Sequence, residues 1–127
     1  SLRAVDRPLF KDFWERFLAC LSQLRDKRQR TVYRLTLVKS WNMEEVEAYV
    51  KLLDLGEPDL IEIKAVTYCG TSDASSLTME NVPWHHEVLA FAQAIADHAG
   101  VRGRYGVACE HKHSVSTVIS VFFYLIF

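Results

Sequence analysis

Residues 31–39, TVYRLTLVK, and residues 59–68, DLIEIKAVTY, decide the fold. Each is short, rich in β-branched side chains and alternates between apolar and polar positions, which is the pattern of a strand. Between them, Asn42 stands three residues before Glu45 in the form of a capping box. Val46, Tyr49, Val50 and Leu53 then recur at helical spacing. Gly56 closes that helix and Pro58 prevents its continuation. Strand, helix and strand joined by short connections make a βαβ unit, with parallel strands and a right-handed crossover.

The pattern extends in both directions. Upstream, Leu9, Phe10, Phe13, Trp14, Phe17, Leu18, Leu21 and Leu24 mark an amphipathic helix over residues 8–26. Asp6 is its cap candidate and Pro8 its early-turn proline, while Arg25, Lys27, Arg28 and Arg30 follow as a basic stop. Downstream, a loop rich in Ser, Thr and Gly (70–76) leads to Asn81 and Pro83, which open a third helix ended by Gly100. Trp84, Val88, Phe91, Ala92 and Ile95 are assigned to its core face, and 105–110 to a short third strand. Helix and strand alternate three times, so the expected class is α/β with about three βα units and parallel strands. Neither a repeat nor a linker interrupts residues 1–110.

Composition bounds the functional classes. The 127 residues are half apolar and 24% charged, which suits one packed domain and excludes a disordered chain. A net charge of −1 gives no bulk electrostatic reason to bind nucleic acid. The charge is uneven, however: residues 1–30 carry eight Lys/Arg against four Asp/Glu, and 44–80 carry two against nine. Cys20, Cys69 and Cys109 lie too far apart for a zinc or redox motif, and their odd number argues against a disulfide framework, so a reducing compartment is expected. The charged start SLRAVDRPLF is unlike a signal peptide, and secretion is not expected. From Val115 to Phe127 no residue is charged, but thirteen residues are too few to span a bilayer as a helix. Stable membrane insertion is not expected.

The strand faces carry the chemistry. Tyr33, Leu35 and Leu37 share one face of the first strand, opposite Arg34 and Thr36; Ile61, Ile63 and Ala65 alternate with Glu62 and Lys64 on the second. In a barrel the polar face is the lumen, where charges are costly unless they are paired or serve a site. An Arg34–Glu62–Lys64 network that merely holds the sheet and a ligand site explain this pattern equally well. Sites of such folds lie at the carboxyl ends of the strands. That rule selects Lys39, Ser40, Trp41 and Asn42; then Thr67, Tyr68, Cys69, Gly70, Ser72 and Ser75; then Glu110, His111 and His113. Capping alone explains Asn42, and a small apolar filler is the plain reading of Cys69. His85 and His86 project in different directions and are not expected to share a metal. His111 and His113 share one side of an extended chain but lack a third ligand. No Gly-rich phosphate loop is present.

RTVYRLTLVKSWN (30–42), PDLIEIKAVTYCG (58–70), SSLTMENVPWHHEV (75–88) and ACEHKHS (108–114) closely resemble the radical-SAM tRNA 4-demethylwyosine synthases, the tRNA wybutosine-synthesising protein 1 family. Long, non-repetitive stretches match in order from near Leu2 to about Ser114. The resemblance implies the later part of a partial (β/α) barrel of radical-SAM type over residues 1–114, followed by a divergent apolar tail over 115–127. It implies a cytoplasmic carbon–carbon lyase that uses a [4Fe–4S] cluster and S-adenosylmethionine. Such an enzyme condenses N1-methylguanosine in phenylalanine tRNA with two carbons of pyruvate in wybutosine biosynthesis. An N-terminal flavodoxin-like domain of the family binds FMN, and the matched stretches do not include it. By position, the candidates for substrate or S-adenosylmethionine binding are Arg34, Thr36, Lys39, Asn42, Glu62, Lys64, Thr67, Tyr68, Cys69, Ser72, Ser75, His85 and Glu110.

Departures from the family pattern are equally specific. The cluster motif CxxxCxxC is absent from this chain, so no metal ligand is assigned. Ala65 stands where the family pattern has glycine. The alternative to an enzyme segment is therefore a catalytically inactive truncated product or a binding module that lacks the cluster motif, or one that requires the missing half of the barrel.

Overall fold

The computed structural model describes residues 9–27, 29–70, 76–98, 103–113 and 116–121. Helix α1 (Phe13–Asp26) is followed by strand β1 (Val32–Leu37), helix α2 (Val46–Gly56) and strand β2 (Leu60–Ala65). A single 3₁₀ turn (Met79–Asn81) precedes helix α3 (His85–Asp97), and strands β3 (Tyr105–His111) and β4 (Ser116–Val121) complete the chain.

The βαβ unit is present as the sequence predicts. β1 and β2 are parallel, with Tyr33 opposite Ile61, Arg34 opposite Glu62 and Thr36 opposite Lys64. The rest of the sheet is mixed. Its order is β1-β2-β4-β3, and β4 runs antiparallel to both of its neighbours. Two reversals leave β3 pointing the same way as β1 and β2, so the three strands that follow helices share one direction. The β3–β4 ladder slips between Val107 and Cys109, the irregularity of a bulge.

Leu37, Leu53, Ile61, Ile63, Val88 and Ile95 are fully buried and form the centre of the core. They come from the apolar faces of β1 and β2 and the inner stripes of α2 and α3, as alternation and helical spacing require. Ala65 is buried among them, so its methyl group is accommodated in the core. Tyr33 donates its hydroxyl to the Leu52 carbonyl at 2.9 Å, and Tyr105 donates to the Pro58 carbonyl at 2.6 Å. Both phenols thereby reach the core with their polar tips satisfied.

Three local expectations fail for identifiable reasons. α1 begins at Phe13 rather than residue 8, and the Asp12 carboxylate, at its N-cap, binds Arg16 instead of capping the helix; the expected cap Asp6 lies outside the described residues. Asn42 does not cap α2, which starts four residues later behind Glu45. Its side chain accepts from the Val38 amide at 2.7 Å and donates to the Thr36 carbonyl at 2.9 Å, folding the strand end back on itself. Trp84 is 69% exposed rather than in the core. It occupies the extended N-cap position of α3, one residue before helical geometry begins, and so stands off the helix stripe. Gly100, the expected helix end, lies outside the described residues.

Candidate functional site

Because β1, β2 and β3 share a direction, their carboxyl ends form one rim. The amino end of α3 reaches the same rim. The connection after β1 is shaped by Ser40, a non-glycine residue at φ 68°. Such a conformation costs about 1–3 kcal/mol and persists only where neighbours enforce it. They do so here: the amides of Trp41 and Asn42 donate to the Val38 carbonyl at 3.0 and 3.1 Å, and the Asn42 side chain closes the turn. Gly70, in the connection after β2, has φ 101°, a region that favours glycine.

Asn81 joins this turn to the segment before α3. The Lys39 amide donates to the Asn81 carbonyl at 2.7 Å, and Asn81 Nδ2 returns a bond to the Lys39 carbonyl at 2.9 Å. Asn81 Oδ1 also accepts from the Thr78 amide and hydroxyl at 3.0 and 3.1 Å, forming a capping box around the 3₁₀ turn. Lys39 Nζ reaches Glu87 on α3 at 3.0 Å. Two connections that are far apart in sequence are thus bound together by main-chain, amide and ionic contacts.

The far side of the rim holds a second pair. His85 Nε2 lies 2.7 Å from Glu110 Oε2, linking the first turn of α3 to β3. A carboxylate only accepts, so Nε2 carries the proton; in the neutral ring Nδ1 is then an acceptor. Nδ1 is buried without a hydrogen-bond partner. An orphaned acceptor is uncommon inside a protein and marks a place where a ligand donor would be stabilised.

The remaining candidates are distributed as follows. Arg34 and Glu62 pair at 2.9 Å across β1 and β2 on the open face of the sheet, with the guanidinium largely exposed. Lys64, next to Thr36 in register, has no partner among the described residues, so the three-membered network is reduced to a pair. Thr67 and Cys69 are exposed and Tyr68 is half-buried in the connection after β2; Cys69 is therefore not a core filler. Ser72 and Ser75 lie outside the described residues. The rings of His111 and His113 stand 6.2 Å apart, edge to face. Sequence reasoning did not select Asn81 or Glu87. The sequence marks Asn81 only as a helix start, and nothing in its local pattern reveals a bond to Lys39, forty-two residues away.

A cavity of about 420 Å³ opens at the opposite, amino-terminal end of the strands, with Arg25 and Arg30 facing Glu57 and Asp59. No candidate residue lines it. The rim is the better site, because it gathers the strand ends, a helix amino terminus and the orphaned His85 nitrogen.

No helix of the described residues is long and apolar enough to cross a membrane. Among the described residues no three His, Cys, Asp or Glu side chains gather in a way that could hold a metal ion. Cys20 on α1, Cys69 after β2 and Cys109 on β3 are separate and exposed, so they do not fit an iron–sulfur cluster.

Parallel βα units with a polar face and a strand-end rim define an α/β protein of the partial-barrel class. Two solved structures share this fold: TYW1 with a lysine–pyruvate adduct bound, at a TM-score of 0.75 and 23% identity, and archaeal TYW1, at 0.67 and 21%. Each likeness covers 88% of this chain, and 34% and 33% of the respective structures. Residues 55–121 match the family of wyosine base formation, a range that takes in β4, and the chain belongs to that family. Among curated relatives, the S-adenosyl-L-methionine-dependent tRNA 4-demethylwyosine synthase of Oryza sativa subsp. japonica is 64% identical over 120 residues. The Homo sapiens synthase TYW1 is 58% identical over the same length. Each alignment covers 94% of this chain, which spans only 18% and 16% of those relatives.

Proposed function

We propose that this chain is the later part of the barrel of an S-adenosyl-L-methionine-dependent tRNA 4-demethylwyosine synthase, working in the cytoplasm. Its rim, in this reading, holds S-adenosylmethionine, pyruvate or the modified guanosine of phenylalanine tRNA. The observation that carries the reading is the His85–Glu110 pair with its buried, unpartnered Nδ1. Glu110 fixes the ring's tautomer and orientation, and Nδ1 accepts a hydrogen bond from a ribose hydroxyl or an exocyclic amine. Lys64 supplies a cation on the open face for a carboxylate, a charge-assisted contact. The engagement of Glu62 by Arg34 supports this role for Lys64 over a purely structural one.

S-adenosylmethionine, when bound beside a cluster, supplies the radical that begins the family's reaction. This chain's cysteines do not fit that cluster. FMN belongs to a domain that the resemblance does not cover. In a full-length synthase carrying this segment, Lys64→Met and Glu110→Gln are each expected to lower 4-demethylwyosine formation by ten-fold or more, an effect of about 1.4 kcal/mol. Unaltered turnover and affinity in both would overturn the reading.

A second reading is favoured by the cysteine positions: alone, the chain is a non-catalytic truncated product or binding module. Reconstitution of the chain with iron and sulfide tests the second reading, which expects no cluster. Stoichiometric incorporation with the spectrum of a [4Fe–4S] cluster would overturn the second reading.

A further inference from the structure

Trp84 is the most exposed aromatic side chain on the rim, at 69% of its full surface. Its main chain is nonetheless held firmly. Three residues before it, Asn81 is bonded to Lys39, and one residue after it, His85 is bonded to Glu110. The preceding Pro83 is fully buried, and the Trp84 carbonyl accepts from the Glu87 and Val88 amides at 3.0 and 3.1 Å. The segment therefore spans two fixed points of the rim and presents an indole on a rigid base. That ring stacks on no other ring and makes no hydrogen bond among the described residues.

We propose that Trp84 is a stacking platform for an unpaired nucleobase of an RNA substrate, an inference that rests on the tRNA reading above. An aromatic ring with two side-chain torsions loses little freedom on stacking, and every base offers it a π-face. The surroundings suit RNA better than a protein surface. His86, His111, Lys112 and His113 are exposed on the same rim, and Lys112 adds a positive charge for the phosphate backbone. Over residues 76–86 only Met79 joins Trp84 as a described large apolar side chain left exposed, which is too little for an apolar docking patch. The larger exposed apolar group, Leu9, Phe10, Trp14 and Phe17, lies on and before α1 instead.

The test uses the whole chain as wild type, Trp84→Ala and Trp84→Phe, each checked by circular dichroism. An anticodon stem-loop RNA is titrated and followed by intrinsic fluorescence and by the anisotropy of the labelled RNA. A fully paired duplex of equal length serves as the control. The expected result is a quench with the stem-loop that both variants abolish, together with an affinity loss of about 5- to 150-fold in Trp84→Ala. Most of that affinity returns in Trp84→Phe, since a phenyl ring still stacks. Equal affinities across the three proteins, or an equal quench by the duplex, would overturn the stacking role and leave the tRNA reading standing. No binding by anisotropy would overturn both for this chain. A blue shift that grows with protein concentration in the absence of RNA and is lost in Trp84→Phe would assign Trp84 to a protein contact and overturn the proposal.

Discussion

Gly56 ends α2 against Tyr33, and a methyl group there would overlap the Tyr33 hydroxyl and come within 3.1 Å of the Leu21 carbonyl oxygen. The phenol cannot swing aside cheaply, because it is buried and bonded to Leu52. Gly56→Ala is expected to cost about 1–3 kcal/mol in urea unfolding despite alanine's better helix propensity. Tyr33→Phe alone removes the second bond to the Leu52 carbonyl, which the helix already uses, at a cost of about 1 kcal/mol. In the Gly56→Ala background the same change also removes the worst of the overlap, leaving the ring carbon at 2.9 Å, so the double variant is expected to lose less than the sum of the singles. Tyr105 gives a pH signature. Burial pushes its hydroxyl up to about 12, from an ordinary value of 10.0. A raised value means the fold favours the neutral phenol, so this stabilisation is complete below pH 10 and is lost as pH rises from 10 towards 12. Burial raises the Tyr33 and Tyr49 hydroxyls as well, so tyrosinate absorbance should show several late-titrating groups, one of which Tyr105→Phe removes. Single residues were the least legible level of the sequence. Asn42 carries a capping-box spacing yet bonds backward to Thr36 and Val38, since an Asn side chain serves a turn as readily as a helix. Trp84 falls on the helical period but just outside the helix, and periodicity has no means of marking that boundary.

Among the elements, α1 shows how an amphipathic pattern differs from a buried face. Its apolar spacing is correct, but only Leu21 is buried; Leu9 is 94% exposed, and Trp14 and Phe17 are about 40% exposed. The helix rests on α2 through its carboxyl half, where Leu21 and Leu24 join the core. Leu21→Ala is accordingly expected to cost about 2–5 kcal/mol, whereas Trp14→Ala and Phe17→Ala stay within about 0.5 kcal/mol in the same urea experiment. Equal costs at all three positions would mean that the amino half of α1 is also packed. The βαβ unit was legible because every local signal agreed: alternation, a helix stripe, a closing glycine and a proline. Helix beginnings were not, since caps rest on side-chain bonds that several nearby residues could make.

At the scale of the whole molecule, strand order was the property hidden from sequence. Three βα units imply three neighbouring parallel strands, but β4 lies between β2 and β3 and reverses the local pairing. The apolar run that supplies it has no partner written in its own composition, so its place in the sheet emerges only from the assembled structure. Deleting residues 115–127 would unpair facing edges of β2 and β3 at once. The shortened chain is expected to lose its cooperative urea transition by circular dichroism, and a retained sharp transition would show that β1 and β2 with their helices suffice. The candidate rim was legible as a rule about strand ends, and that rule reaches Lys39 and Glu110 but not Asn81 or Glu87. What ties them together was not, because Asn81 and Lys39 meet only through the tertiary fold. Their reciprocal bonds have a consequence for inheritance. The Lys39 end supplies only main-chain groups and the Asn81 end a side-chain amide, so a new side chain at 39 leaves both bonds in place, whereas one at 81 breaks the amide bond. The tie is thus inherited through one position: the side chain at 39 is replaceable without loosening it, and the amide at 81 is not.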